Sequence, residues 1–263
     1  MTADRSRFLA EVESLLAYHK SIGICDYPRN KDLDDFCAID SLHSSPSAKK
    51  NSENRILNEF GTVTGGARKK REIKGEGGLS DLSVEIASCT ECDLHKQRIS
   101  PVPGKGAEKA TLLVIGDWLS CDTPGTLPEG TIMGIEQDRM VGKMLAAIKL
   151  NPEEVFITNV IKCAVPSTCH PAAVHVHRCL PFLRRQIAIL APKLICSMGM
   201  IAAKAVLGDS RSLSQLRGKF HIYETEDGQE IPMITTYHPT YLLQNPEMKG
   251  ATWVDLQFLA KRL

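Results

Sequence analysis

The chain holds 263 residues, enough at about 100–200 per domain for one large domain, or for one ordinary domain with a smaller appendage. Apolar residues make up 43% and charged residues 24%, which excludes a wholly disordered chain. Lys and Arg total 32 against 31 Asp and Glu, and the resulting charge of +1 excludes histone-like bulk attraction to nucleic acid while leaving room for a local basic groove.

No apolar run approaches the roughly 18 residues a spanning helix needs, and the amino terminus, MTADRSRFLAEVE, carries acidic residues where a signal peptide has its apolar stretch. The expectation is a cytoplasmic protein with no membrane contact. Nine cysteines in such a chain point away from disulfides and towards metal binding.

Residues 6–20 carry Phe8, Val12, Leu15, Leu16 and His19 at helical spacing, so residues 1–40 read as an amino-terminal helical segment. From 41 to 80 the composition turns to Ser, Lys and Gly (SLHSSPSAKKNS, GTVTGG, KGEGG), which reads as a flexible linker. Its RKKR run at 68–71 reads as solvated charge before it reads as a phosphate contact.

Residues 81–263 form the main domain. TLLVIGD (111–117), VFITNV (155–160) and KLICSMG (193–199) are short apolar runs of strand length, each followed by a loop or a helical pattern, and this order predicts a parallel sheet. Helices are predicted over 138–150, over 171–190 with Val176, Leu180, Leu183, Ile187 and Leu190 on one stripe, over 200–207 before Gly208, and over 252–263. KFHIYETEDGQEIPMITTYH predicts a hairpin turning at Asp227-Gly228. Ligands of such sheets sit at the carboxyl ends of the strands, which here carry Gly116-Asp117, Asn159 with Lys162-Cys163, Gly199 and Tyr237-His238-Pro239.

Cys89 and Cys92 form the one CxxC pair, a spacing that turns two sulfurs to the same side of a tight turn. Cys163 follows the second strand and Cys179 lies sixteen residues on, within reach of the same centre. Four sulfurs suit an iron–sulfur cluster or a structural zinc equally well, and a lone CxxC is as often two buried thiols. Cys196, inside a strand, reads as a small core residue, and Cys169 is ambiguous.

CTECDLHKQR, VPGKG, ITNVIKCAVP, the cysteine sixteen residues after that KC, and TYHPTYLLQNP together resemble the iron–sulfur uracil-DNA glycosylases of family four, in order and over about residues 89–263. The resemblance implies a three-layer α/β/α domain around a mostly parallel four-stranded sheet. It implies a hydrolase of DNA repair that flips uracil out of single- or double-stranded DNA and cleaves its N-glycosidic bond in base excision. It also implies a 4Fe-4S cluster on Cys89, Cys92, Cys163 and Cys179. In the same way Asp117 and His238 become the catalytic pair, Gly116, Trp118 and Asn159 the uracil-binding residues, and Leu242 with Leu243 the wedge that enters the DNA stack.

Four positions depart from the family pattern. Gly116-Asp117-Trp118-Leu119-Ser120 stands for Gly-Glu-Ala-Pro-Gly, GIEQDRMVGKML lacks the ring that stacks on the flipped base, and Gln244 and Ala164 replace two arginines. We therefore expect weakened catalysis or an altered base preference, with Trp118 as the substitute ring. The other reading open to the sequence is a catalytically reduced DNA-binding or replication-complex module, with its amino-terminal segment docking a replication or repair protein.

Overall fold

The computed structural model describes residues 77–263 apart from 123, 124 and 210. The helical segment expected over 1–40, its docking role and the RKKR run lie outside the described residues. The first described helix, α1 (Leu79–Ser88), begins two residues inside the stretch read as linker.

Four apolar runs fold as central strands. β3 (Leu112–Gly116), β4 (Val155–Asn159), β6 (Leu194–Met198) and β8 (Glu230–Thr236) pair in parallel in the order β4-β3-β6-β8. Two antiparallel edges extend this core to six strands: the two-residue β2 (Lys105–Gly106) beside β4, and β7 (Phe220–Glu224) beside β8. The resemblance implied the parallel core but not these edges. β2 is too short to carry any periodicity, and β7 belongs to the predicted hairpin. A separate ribbon pairs β1 (Ser100–Pro101) with β5 (Cys163–Ala164).

Every residue of β3 and β6 is buried, which is why both read as unbroken apolar runs instead of alternating ones. Side chains nonetheless alternate between the two faces of the sheet. Leu112 and Val114 pack with Cys196, Met198 and Ile234 against α2 (Ile135–Ala147) and α7 (Lys249–Ala260), through Val141, Leu145 and Leu259. Leu113 and Ile115 pack with Ile195 and Met233 against α1, α3 (Ala173–Leu190) and α4 (Met200–Leu207), through Leu79, Leu183, Ile187, Leu190, Ala202 and Val206. Two cores on either side of one sheet make the three layers, and each fully buried aliphatic side chain contributes about 1.5–3 kcal/mol.

The chain runs from β3 to β4 on one side, then crosses to β6 on the other, so the strand order reverses at β3. Such a reversal opens a crevice at the carboxyl ends of the strands. α5 (Leu213–Leu216) precedes β7, and α6 (Pro239–Gln244) leaves β8 directly above that crevice. No helix among the described residues is long and apolar enough to cross a membrane.

Candidate active site

Along the carboxyl edge stand Asn159 at the end of β4, Gly116 at the end of β3 with Asp117 after it, Gly199 after β6 and His238 after β8. Three strand spacings separate the outer two backbones, roughly 14 Å, which leaves room for a planar base between inward-reaching side chains.

Asp117 is held by the first turn of α4. Gly199 caps that helix at φ +101°, and a Cβ placed on it would lie 2.6 Å from Asp117 Oδ2, so only glycine lets the carboxylate approach. Asp117 Oδ1 accepts the amide hydrogen of Ala202 at 2.7 Å. Burial pushes the Asp117 carboxyl up to about 7, opposed in part by that hydrogen bond.

Asn159 is fully buried beside Gly116, its register partner across the β3–β4 pair. Its Nδ2 donates to the Ile132 carbonyl, while its Oδ1 has no partner. The Met133 thioether lies over the same spot: a Cβ on Gly116 would meet Met133 Cε at 2.6 Å and Asn159 Oδ1 at 2.6 Å. Asp138, in the first turn of α2, fixes this stretch by accepting the amide hydrogens of Ile132 at 2.8 Å and Met133 at 2.9 Å.

His238 is the N-cap of α6. Its Nδ1 accepts the Thr240 amide hydrogen at 3.2 Å, so in the neutral ring the hydrogen sits on Nε2, which is buried and has no partner. Burial lowers this imidazole to about 4, keeping it a neutral donor near pH 7. The strand end beneath it is braced by Asp255, whose Oδ2 accepts from Thr236 Oγ1 at 2.7 Å and from Arg217 at 2.8 Å. Arg217 in turn lies 4.8 Å over the Tyr237 ring, which stacks on Tyr241 at 5.0 Å.

The cysteines form a second centre. Cys163 on β5 and Cys179 on α3 are buried with Leu94, Ile161 and Val165, and Cys92 and Cys169 pack at the margin. Burial pushes the Cys179 thiol up to about 11, where Cys163 and Cys92 act on it in the same sense, and burial also raises Cys163, where Cys92 and Cys89 add to the rise. Cys92 thus bears on both buried thiols and Cys89 on Cys163, whereas Cys169 is raised by burial and by Asp93, with no thiol acting on it. No three donor side chains among the described residues lie close enough to hold a single metal ion.

Arg98 pins the CxxC turn by donating to the carbonyls of Ile86 and Cys89 at 3.2 Å and of Ala87 at 2.7 Å, closing the carboxyl end of α1. Lys162, 2% exposed, donates to Thr158 Oγ1 at 2.7 Å, to the Asn159 carbonyl at 2.6 Å and to Gln186 Oε1. It thus joins the cysteine centre to the strand end that carries Asn159.

The profile of the Uracil DNA glycosylase superfamily matches residues 103–257. The chain belongs to the uracil-DNA glycosylase superfamily. It is 34% identical over 176 residues to a type-4 uracil-DNA glycosylase of Archaeoglobus fulgidus, covering 65% of this chain and 86% of that protein. It is 32% identical to the type-4 uracil-DNA glycosylase of Pyrobaculum aerophilum, covering 68% of this chain and 91% of that protein. A third type-4 relative, from Saccharolobus solfataricus, is 32% identical over 70% of this chain and 86% of its own length.

Within this superfamily member the expected residues are not all where the motifs suggest. Gly116, Asp117, Asn159 and His238 share the carboxyl edge. Trp118 does not face it: the ring packs against the cysteine centre, with Cys92, Cys169 and Val176. Trp118 lies beyond the end of β3 at Gly116, in the loop that leaves the sheet towards that centre. The side chain lying on Gly116 and Asn159 is Met133. Leu242 is 0% exposed and belongs to the core, whereas Leu243 is 40% exposed, so one leucine of the expected wedge is free to meet DNA.

Sequence reasoning passed over Met133, Asp138 and the roles of Arg98 and Lys162, the latter named only as a strand-end residue. The last two lie inside CTECDLHKQR and ITNVIKCAVP, where a burial-prone cation beside each cysteine was the available signal. Met133 had none, since a methionine after an isoleucine reads as core.

Proposed function

We propose that the chain is a DNA repair glycosylase that flips uracil out of DNA and hydrolyses its N-glycosidic bond, leaving an abasic site. One observation carries this reading: two buried polar atoms at the carboxyl edge lack partners, the acceptor Asn159 Oδ1 and the donor His238 Nε2. Buried polar groups are nearly always satisfied, so orphans of opposite sense on one crevice mark a ligand that offers one donor and one acceptor. Uracil does so through N3–H and its carbonyl oxygens. Cytosine presents an acceptor at N3 and an amine at C4, and fails against Asn159.

In this mechanism the Asn159 amide grips the N3–H and C4 carbonyl edge, its Nδ2 exchanging the Ile132 carbonyl for the base. As the glycosidic bond breaks, negative charge gathers on the base and positive charge on the sugar. The neutral His238 Nε2–H stabilises the base anion at its other carbonyl oxygen, a contribution of the kind worth about 100- to 1,000-fold in rate. The Asp117 carboxylate stabilises the cationic sugar and orients the attacking water. Met133 stands where the base face must lie and supplies an apolar thioether contact in place of a ring.

A 4Fe-4S cluster on Cys89, Cys92, Cys163 and Cys179 is part of the same reading. A cluster binds each thiolate through a different iron, so its ligands stand further apart than those of one zinc ion. Thiols linked through Cys92 and Cys163 but not within reach of one ion fit it better. When bound, the group supplies a positively charged anchor that keeps buried thiolates ionised and ties α1, β5 and α3 together. A cytoplasmic location accords with the absence of disulfides among the described cysteines.

The decisive experiment treats a uracil-containing oligonucleotide with the purified protein and then with alkali. Strand cleavage at the uracil is expected. An intact strand after treatment with cluster-loaded protein would leave the alternative, an accessory module without catalysis, which none of the type-4 names of the relatives favours.

A further inference from the structure

A groove of about 440 Å³ runs between α2 and α7, with exposed Leu243 at its upper lip and Arg139, Lys143 and Lys249 along its walls. Trp253, 40% exposed, lines it and also lines a second hollow of about 320 Å³ further down the same two helices, where Lys149 and Lys261 are found. The indole thus leaves part of its apolar ring at the surface, in a chain with only two tryptophans.

The charge is as uneven as the apolarity. Five cations border the two hollows against a single carboxylate, Glu136, which is engaged by Arg139 at 2.6 Å. The chain as a whole carries only +1, so this side holds a local excess that the rest of the surface offsets. A cationic track with an aromatic platform is how unpaired nucleic acid strands are held: phosphates lie along the cations and a base stacks on the ring.

We propose that this groove receives a single DNA strand running away from the flipped nucleotide, with phosphates on Lys143 and Lys249 and an unpaired base on Trp253. The proposal rests on the glycosylase reading for its starting point, because Leu243, at the groove's lip, is the leucine left to wedge into the stack. It gives the protein a reason to favour single-stranded or locally opened DNA, since a duplex base is not available to the indole. Gln244, beside Leu243, carries no charge, so the phosphate contacts on this side fall to the groove.

The test uses labelled 20-nucleotide single strands without uracil, so that binding is read apart from catalysis. Fluorescence anisotropy of the cluster-loaded protein should show Trp253→Ala weakening the single strand about tenfold or more, with loss of the tryptophan quenching expected at saturation of the unmodified protein. Lys143→Glu with Lys249→Glu, both on the exposed rim and outside the core, should weaken binding. The milder Lys143→Ala with Lys249→Ala should reduce the slope of log affinity against log salt by about 1.4. Equal binding by all variants, or a quench that survives in Trp253→Ala, overturns the proposal, as does capture of a protein on the groove with no effect of DNA. If the unmodified protein binds the strand as described yet releases no uracil, the glycosylase reading falls and the groove stands.

Discussion

The Asp117 carboxylate accepts the amide hydrogen of Ala202 in the first turn of α4 at 2.7 Å, and Gly199 is the cap that lets it come so close. The acid therefore comes from one strand and its environment from the next, and two opposed influences set its ionisation: burial pushes it up to about 7 and the amide pulls it down.

Because the carboxylate is the working form, turnover should fall as pH drops through about 7, and no second limb from His238 should appear above about 4. Asp117→Asn should lower kcat by about 100-fold or more and remove the limb. Initial rates of uracil release between pH 5 and 9 check this, and a limb that persists in the variant assigns it to another group.

The same two residues oppose each other in stability. A carboxyl at about 7 in the fold and near 4 when unfolded costs stability as pH rises from about 4 to 7, whereas an imidazole at about 4 in the fold and near 6.5 when unfolded costs stability as pH falls over nearly the same range. Their effects largely cancel. Asp117→Asn removes the first and should make the thermal midpoint climb steadily from pH 4 to 6.5, more steeply than in the unmodified protein, as differential scanning calorimetry would show.

His238→Ala should lower kcat by about 100- to 1,000-fold with little change in KM, since the Nε2 hydrogen bond strengthens only as charge reaches the base. Asn159→Asp should act on selection instead. A carboxylate at that position accepts from the cytosine amine and loses the donor to the uracil carbonyl, so the uracil-to-cytosine preference should narrow by about 10- to 100-fold in competition assays.

Cys179→Ala should lose iron and visible absorbance, while Cys169→Ala should keep both, because the thiol neighbours that bear on Cys179 do not bear on Cys169. Trp118→Ala should behave like a loosened cysteine centre, with faster loss of iron on dilution and an unchanged KM for uracil DNA, in keeping with where its ring packs. A raised KM with iron retained would return Trp118 to the base pocket.

Lys162→Met should lower the thermal midpoint by about 6–12 °C. Three buried acceptors lose their shared donor together, a cost on the order of 3 kcal/mol in a domain of this size. Gln186→Leu should be milder, since Lys162 keeps its bonds to Thr158 and Asn159.

The sheet was legible because strands buried on both faces must be apolar throughout, and LLVIG and LICSM admit little else. The helix ending at Gly208 was equally legible, its boundary written in a residue that tolerates the left-handed cap at φ +63°. α2 was placed three residues late because its first turn, Ile135 to Gln137, is largely solvent-facing and carries no apolar stripe. α6 was missed since the predicted hairpin ends at His238 and Leu242 with Leu243 read as a wedge into DNA, and only the capping bond from Thr240 to His238 shows where the helix starts. In the crevice, motif order located Asp117, Asn159 and His238, but which way Trp118 turned and which leucine was buried depended on packing, which spacing does not encode.

The Ile132 carbonyl already occupies the Asn159 amide in the absence of DNA. An incoming base therefore wins that donor only by exchange, at little net gain, and its hold rests on the one atom left waiting, Oδ1. A base that brings no hydrogen to Oδ1 gives up a formed bond and receives nothing, so the arrangement shortens the stay of cytosine, whose N3 is an acceptor, while thymine, with the N3–H edge of uracil, is not turned away by this atom. What the Ile132 contact costs in affinity for uracil it returns as speed in releasing cytosine.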